Sequence, residues 1–228
     1  PKDAAEEQGT HVRPHPVGEG QTVAFHCGRC RPGLADHDPP MAERFDMLEE
    51  ALAYARAMLS TEPEGFAGEH YSLEAFPIAP QSTGQVKLLV GGVGASKTPR
   101  LAGTYADEFN VYPGPDLGII IDRAREAAAT AGRDPDALLL SSAGQVVGAE
   151  TEADLEHRLD SLAADAHMTR DELTDHFEKR QAPVATYDRL RELFAEMEDH
   201  GVRRFYLQGG YDPDATPELL DAVSRPNR

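Results

Sequence analysis

The chain is short of three things that would each direct it to a particular class. It has no apolar run approaching the roughly 18–20 residues that cross a bilayer, and no basic N-terminal segment followed by an apolar one. Neither a membrane span nor a visible secretory signal is expected. It has two cysteines, Cys27 and Cys30, too few and too close together for a disulfide framework, so the reading is cytoplasmic. It is also poor in positive charge: 22 Lys and Arg face 40 Asp and Glu, a formal net charge of −18. That balance repels nucleic acid and anionic lipid, and no local basic patch offsets it. Neither a nucleic-acid nor a membrane partner is expected.

What is present is ordinary for a packed globular protein. Hydrophobic residues make up 40% and charged residues 27% of 228 residues, enough for one sizeable domain. The charge is unevenly placed. Residues 1–32 hold Lys2, Arg13, Arg29 and Arg31 against Asp3, Glu6, Glu7 and Glu19, so the whole of the −18 lies beyond them. The same segment has three of the nine histidines, His11, His15 and His26, and no helical or strand periodicity. It reads as a poorly structured extension, with the folded domain spanning 33–228.

From Pro39 the pattern turns periodic. Met41, Phe45, Leu48, Leu52, Ala55 and Leu59 follow helical spacing and predict a helix over 41–60. The apolar run 86–90 reads as a strand that ends on Gly91-Gly92-Val93-Gly94 and leads into a helix over 96–106. Strand and helix then alternate: 108–112 strand, 116–131 helix, 137–148 strand, 151–165 and 169–179 helices, 183–200 helix, 202–207 strand, and a short helix after Thr216. Such alternation predicts a parallel sheet covered by helices.

The turn Gly91-Gly92-Val93-Gly94-Ala95-Ser96-Lys97-Thr98 occupies the place where parallel α/β proteins seat phosphates, at a strand C-terminus opening a helix. Glycines let backbone N–H groups approach an oxyanion, and two or three such bonds supply about 3–9 kcal/mol gross. The plain alternative is a structural turn. A nucleotide-binding P-loop is a further alternative, because the stretch nears G-x-x-x-x-G-K-[ST] and Ile119-Ile120-Ile121-Asp122 could pose as a magnesium-binding strand. Ser96 stands where that pattern needs glycine, and Leu117, Ile120, Ile121, Ala124, Ala127, Ala128 and Ala131 keep one helical period through the supposed strand.

Other constellations are weaker. His26-Cys27-Gly28-Arg29-Cys30 with His11 and His15 could supply half a zinc site, but no second spaced pair exists, so incidental residues are the favoured reading and no metal is expected. His157, His167, His176 and His200 fall on charged helices and read as surface residues, and His70 as an exposed loop residue. No Ser-His-Asp or Cys-His arrangement can be argued from spacing, so catalytic residues are unassigned.

Several of these segments, in order, resemble the luciferase-like monooxygenase superfamily. Pro39 through Leu52 is similar to one of its helices, and Gly68-Glu69-His70-Tyr71 to the loop that follows. Val90 through Gly94, then Arg100-Leu101-Ala102 and Tyr105-Ala106-Asp107-Glu108-Phe109-Asn110, resemble its most recognisable stretch. Ala131-Gly132-Arg133-Asp134-Pro135 and Gly201-Val202-Arg203-Arg204-Phe205 resemble the entries to its next and last strands. The resemblance implies a (β/α)8 TIM-type barrel and an oxidoreductase or monooxygenase that exchanges a hydride between coenzyme F420, or alternatively FMN, and a small organic substrate. On that analogy Gly91, Gly92, Val93 and Gly94 hold the cofactor phosphate, with Lys97 or Thr98 adding a side-chain contact. The same analogy places four strands ahead of residue 41, and residues 1–32 resemble none of them. Residues 33–228 also fall short of the roughly 250 of a full barrel. The expectation is therefore an incomplete barrel whose N-terminal strands are missing or replaced, with self-association as one way to close it. A catalytically silent remnant is the competing expectation.

Overall fold

A computed structural model of the chain describes residues 22–26, 40–59, 65–73, 86–208 and 215–224. In chain order the elements are β1 (Thr22–His26), α1 (Met41–Met58), β2 (Phe66–Ala67), β3 (Ser72–Leu73), β4 (Lys87–Gly91), α2 (Lys97–Tyr105), β5 (Glu108–Val111) and α3 (Leu117–Thr130). There follow β6 (Leu139–Gln145), β7 (Val147–Ala149), α4 (Glu152–Asp165), α5 (Arg170–Lys179), β8 (Val184–Thr186), α6 (Tyr187–Asp199), β9 (Val202–Gln208) and α7 (Ala215–Ser224).

The main sheet has the order β1-β4-β5-β6-β9, and every neighbouring pair is parallel. Among the described residues β1 and β9 are its edges and the sheet does not close on itself. Its two faces follow from the register. Val90, Phe109, Leu140 and Val202 stand in one row across four strands. They pack with Leu101 and Ala102 of α2 and with Leu117, Ile121 and Ala124 of α3 into the main core. The opposite row, Gly91, Asn110, Ser141 and Arg204, faces away from these helices.

Helix α3 is amphipathic as its period predicts, with Leu117, Ile121, Ala124 and Ala128 buried and Asp122 exposed. Residues 119–122 are helix, so the strand that a P-loop reading requires is absent. Helices α2 and α3 cross closely at Gly103, where an added Cβ would lie 2.0 Å from the Ala124 carbonyl oxygen. At the N-terminal end of the strands the Asp107 carboxylate accepts the Leu88 N–H at 2.8 Å and pairs with Arg56 at 2.9 Å. Arg133 donates to the carbonyls of Gly103 and Ala106, each at 2.6 Å, and so caps the C-terminus of α2.

Three expected elements came out differently. The strand expected over 137–148 breaks at Val146: β6 stays in the main sheet while β7 leaves it to pair with β8 in a separate two-stranded parallel sheet. The helix expected from Pro183 begins only at Tyr187, because Val184–Thr186 is the partner strand and the Pro183 carbonyl accepts the Val147 N–H at 2.9 Å. This small sheet, with α4 and α5, has its own core of Val147, Leu155, Leu159, Leu173 and Phe177. The third difference is β1. Thr22–His26 was expected within an unstructured extension, yet it runs parallel to β4, from Thr22 opposite Lys87 to His26 opposite Gly91. The rest of that extension, with Cys27, Cys30, His11 and His15, lies outside the described residues.

Candidate functional site

The glycine turn closes β4 at its C-terminal end. Gly91 is buried, Val93 is 74% exposed, and Gly92 has φ +158°. The reason for glycine is visible beneath the turn. Thr98, 2% exposed, fills the space under it, so that a Cβ on Gly94 would stand 2.7 Å from Thr98 Oγ1 and one on Gly92 3.3 Å from Thr98 Cγ2. Helix α2 begins at once, and its N-cap Ser96 makes no side-chain capping bond. Among the described residues the backbone N–H groups of Ala95, Ser96, Lys97 and Thr98 have no hydrogen-bond partner. An exposed turn, free N–H groups and the positive end of a nine-residue helix are the chemistry that receives an oxyanion.

The side chains named from sequence occupy different places around this cradle. Thr98 is the floor of the turn. The Lys97 ammonium lies 4.9 Å from the centroid of the Phe45 ring on α1, a cation–π contact. The cation that reaches the turn is Arg123 of α3, whose guanidinium donates to the Ala95 carbonyl. Nothing in the spacing of the sequence linked position 123 to position 95.

A second polar group stands on the sheet face that carries Gly91. Glu108, only 1% exposed, accepts Arg204 Nη1 at 2.9 Å on one oxygen and the Tyr206 hydroxyl at 2.9 Å on the other. Arg204 Nη1 also lies 3.1 Å from the Tyr206 oxygen. Burial raises the Tyr206 phenol above its ordinary value, so it keeps its proton at neutral pH. Beside this group Asn110 donates to Ser141 Oγ at 3.0 Å, while its Oδ1 is buried without a partner. The one sequence signal for this face was the alternation Glu108-Phe109-Asn110-Val111, polar and apolar by turns in a strand whose four residues are all buried. A cavity at the C-terminal ends of β5, β6 and β9 is lined by Tyr112, Pro113, Ala143, Phe194, Met197 and Tyr206, among others.

His26 ends β1 opposite Gly91, whereas His70 and His176 stand elsewhere in the fold. The backbone N–H of His70 is bonded to Glu50 at 2.7 Å, with those of Glu69 at 2.7 Å and Tyr71 at 3.1 Å, which ties the β2–β3 hairpin to α1. His176 meets Gln145, the last residue of β6, at 3.3 Å and so joins the small sheet's helices to the main one. Among the described residues no three His, Cys, Asp or Glu side chains gather as a metal site, and no helix is long and apolar enough to cross a membrane.

Comparison with known proteins agrees with this architecture. No curated protein matches the chain at a significant level. Among solved structures, an F420-dependent secondary alcohol dehydrogenase in complex with an F420–acetone adduct superposes with a TM-score of 0.67 at 21% identity, over 90% of this chain and 70% of that one. The long-chain alkane monooxygenase LadA gives 0.62 at 13%, over 82% and 56%. The coenzyme F420-dependent tetrahydromethanopterin reductase from Methanopyrus kandleri gives 0.52 at 14%, over 80% and 60%. At these identities the likeness is one of fold, a parallel α/β architecture of the TIM-barrel type, and the chain spans little more than half to about two thirds of these neighbours. The profile of the luciferase-like monooxygenase family matches residues 18–225, starting ahead of the compositional seam at 32 and taking in β1. With nearly all of its 228 residues so matched, the chain belongs to the luciferase-like monooxygenase family.

Proposed function

We propose that this chain binds a phosphate-bearing redox cofactor, coenzyme F420 or alternatively FMN, through Gly91, Gly92, Val93 and Gly94, and exchanges a hydride with a small organic substrate. The single observation that carries this reading is the cradle itself. Thr98 beneath the turn leaves no room for a side chain at 94 and little at 92, and the N–H groups of residues 95–98 point from an uncapped helix end with no partner among the described residues. Family membership supports the redox class, and neighbours of the same fold include F420-dependent and monooxygenase enzymes.

When bound, the cofactor supplies the hydride chemistry. The chain supplies the rest. Backbone N–H groups of the turn hold the phosphate, and Arg123 stands beside them to balance its charge. Lys97, occupied over Phe45, serves by fixing α1 against the turn rather than by meeting the phosphate, and Thr98 shapes the turn from below. The overall charge of −18 does not oppose this, because diffuse repulsion is screened over about 8 Å at physiological salt while the N–H contacts are local.

Fluorescence titration with F420, FMN and riboflavin tests the reading, and the absence of tryptophan leaves a clean background. Saturable binding of F420 or FMN at tens of micromolar or tighter is expected, with riboflavin, which lacks the phosphate, at least about tenfold weaker. Gly92→Asp should erase that difference by setting an anion in the cradle. Equal affinity for FMN and riboflavin would make the turn purely structural. The sheet, open among the described residues, favours one other reading, a catalytically silent member of the family, and absence of saturable binding to all three compounds would establish it.

A further inference from the structure

Among the described residues one buried side-chain polar atom has no hydrogen-bond partner, and it is Asn110 Oδ1. The residue is 2% exposed, and its Nδ2 donates to Ser141 Oγ at 3.0 Å. A buried carboxamide oxygen left alone costs about 1–3 kcal/mol, and folded proteins rarely leave one. Its position says what could meet it. Asn110 is the register partner of Gly91, one strand spacing of about 4.8 Å from the residue that opens the glycine turn. The two share a face of the sheet, and glycine puts no side chain there to screen its neighbour. The first turn of α2 is near on the other side, since Thr98 stands beneath Gly92 and the N–H groups of residues 95–98 have no partner among the described residues. A lone acceptor and a row of lone donors thus flank two consecutive glycines, Gly91 and Gly92.

We propose that Asn110 Oδ1 accepts a hydrogen bond from a hydroxyl of the ligand whose phosphate sits in the glycine turn, so that the chain selects the phosphate ester of a polyol. The inference deepens the reading that the turn binds phosphate and rests on it. The turn's N–H groups take the phosphate oxygens, and in a phosphate ester the atoms next to the phosphate belong to an alcohol chain. A neutral donor on that chain is a hydroxyl. An ammonium is the other donor such a chain could carry, but no free carboxylate waits for it: Glu108, two residues away on the same face, is already paired with Arg204 and Tyr206. Ser141 is a positioning residue. By accepting from Nδ2 it fixes the carboxamide, and because β5 lies between β4 and β6, an amide whose nitrogen is drawn to Ser141 of β6 turns its oxygen to the side on which Gly91 of β4 lies.

The test is a fluorescence titration that compares FMN with the analogue in which an unsubstituted pentyl chain joins the same ring to the same phosphate. FMN should bind at least about fivefold tighter, the scale of one neutral hydrogen bond. Asn110→Leu, close to asparagine in shape, should bring FMN to within about twofold of the analogue and leave the analogue's own affinity within about twofold of its wild-type value. Equal binding of the two compounds by the wild-type chain, as when an ordered water satisfies Oδ1, would overturn the proposal, and so would a preference that survives in Asn110→Leu. Should Asn110→Leu not fold, the side-chain amide resonances of Asn110 in 15N-labelled wild-type protein must move with FMN and not with the analogue; resonances that answer alike to both overturn it equally. Where F420 binds and FMN does not, the same resonances must move with F420 and not with inorganic phosphate. The two readings fail separately. If FMN, F420 and the analogue all fail to bind, the phosphate reading falls and this inference with it, whereas equal and saturable binding of FMN and the analogue removes only the part given to Asn110.

Discussion

Glu108 shows how a single residue can be illegible in sequence and yet govern a face of the molecule. It sits in a strand of buried residues, where a lone carboxylate would be strongly unfavourable, and it is tolerable only because Arg204 and Tyr206 arrive from 96 and 98 positions away. Replacing Arg204 by Leu should therefore destabilise the fold by about 2–3 kcal/mol, read as a lower urea midpoint. The value lies below that of a fully buried pair because the Arg204 side chain is 46% exposed. Arg204→Lys, which keeps the charge, should recover about half of it. Thr98 and the turn above it are the opposite case, since Gly92 and Gly94 were legible as a tight turn between strand and helix from their spacing alone. What the spacing could not show is that Thr98 faces inward, that Lys97 is drawn to Phe45, and that Arg123 is the cation at the turn.

Among the elements, α2 is fixed from three sides, and two of them can be tested. Its contact with α3 depends on Gly103, whose added Cβ would meet backbone, not a movable side chain. Gly103→Ala should cost about 2–4 kcal/mol despite the better helix propensity of alanine, a loss visible in thermal unfolding. Its contact with α1 rests on the two-pronged pair of Arg100 and Glu49, at 2.7 and 2.6 Å. The Arg100 bond is the first cause holding the Glu49 carboxyl below its ordinary value, against the opposing effect of burial. A depressed folded-state pKa means that this contribution is complete above the unfolded value of about 4.3 and is lost as pH falls through the lower folded value. Acid should thus loosen α1 from α2, by less than about 1 kcal/mol because the pair is partly exposed. Comparison of wild type and Glu49→Gln between pH 6 and 3 checks this, since the gap between their unfolding midpoints should close in acid. The elements that alternate in period, β4, α2, β5 and α3, fell within a residue or two of expectation. The strand pair β7–β8 did not, because three-residue strands carry no period and Pro183 before Val184-Ala185-Thr186 reads equally as a helix start.

The whole molecule is governed by its charge. With 40 acidic residues, many of them on exposed helix faces such as those of α4 and α6, self-repulsion opposes the compact state and is relieved by screening. The thermal midpoint should climb steadily between about 0.05 and 1 M KCl, over which the Debye length falls from about 14 to 3 Å. A flat salt series would show that the ion pairs, such as Arg170 with Glu156 and Asp160, already neutralise the surface where it matters.

The sequence by itself determined the class of fold, the succession of strand and helix from residue 86 onward apart from β7 and β8, the acidic surface and the glycine turn at the end of β4. Each of these rests on local period, backbone freedom or composition, which neighbours in the chain are enough to specify. The tertiary structure decided the rest. It placed Thr22–His26 beside β4, sent residues 147–149 out of the main sheet, and brought Glu108, Arg204 and Tyr206 to one point. These are pairings between strands distant in sequence, and register, not spacing, determines which side chains share a face.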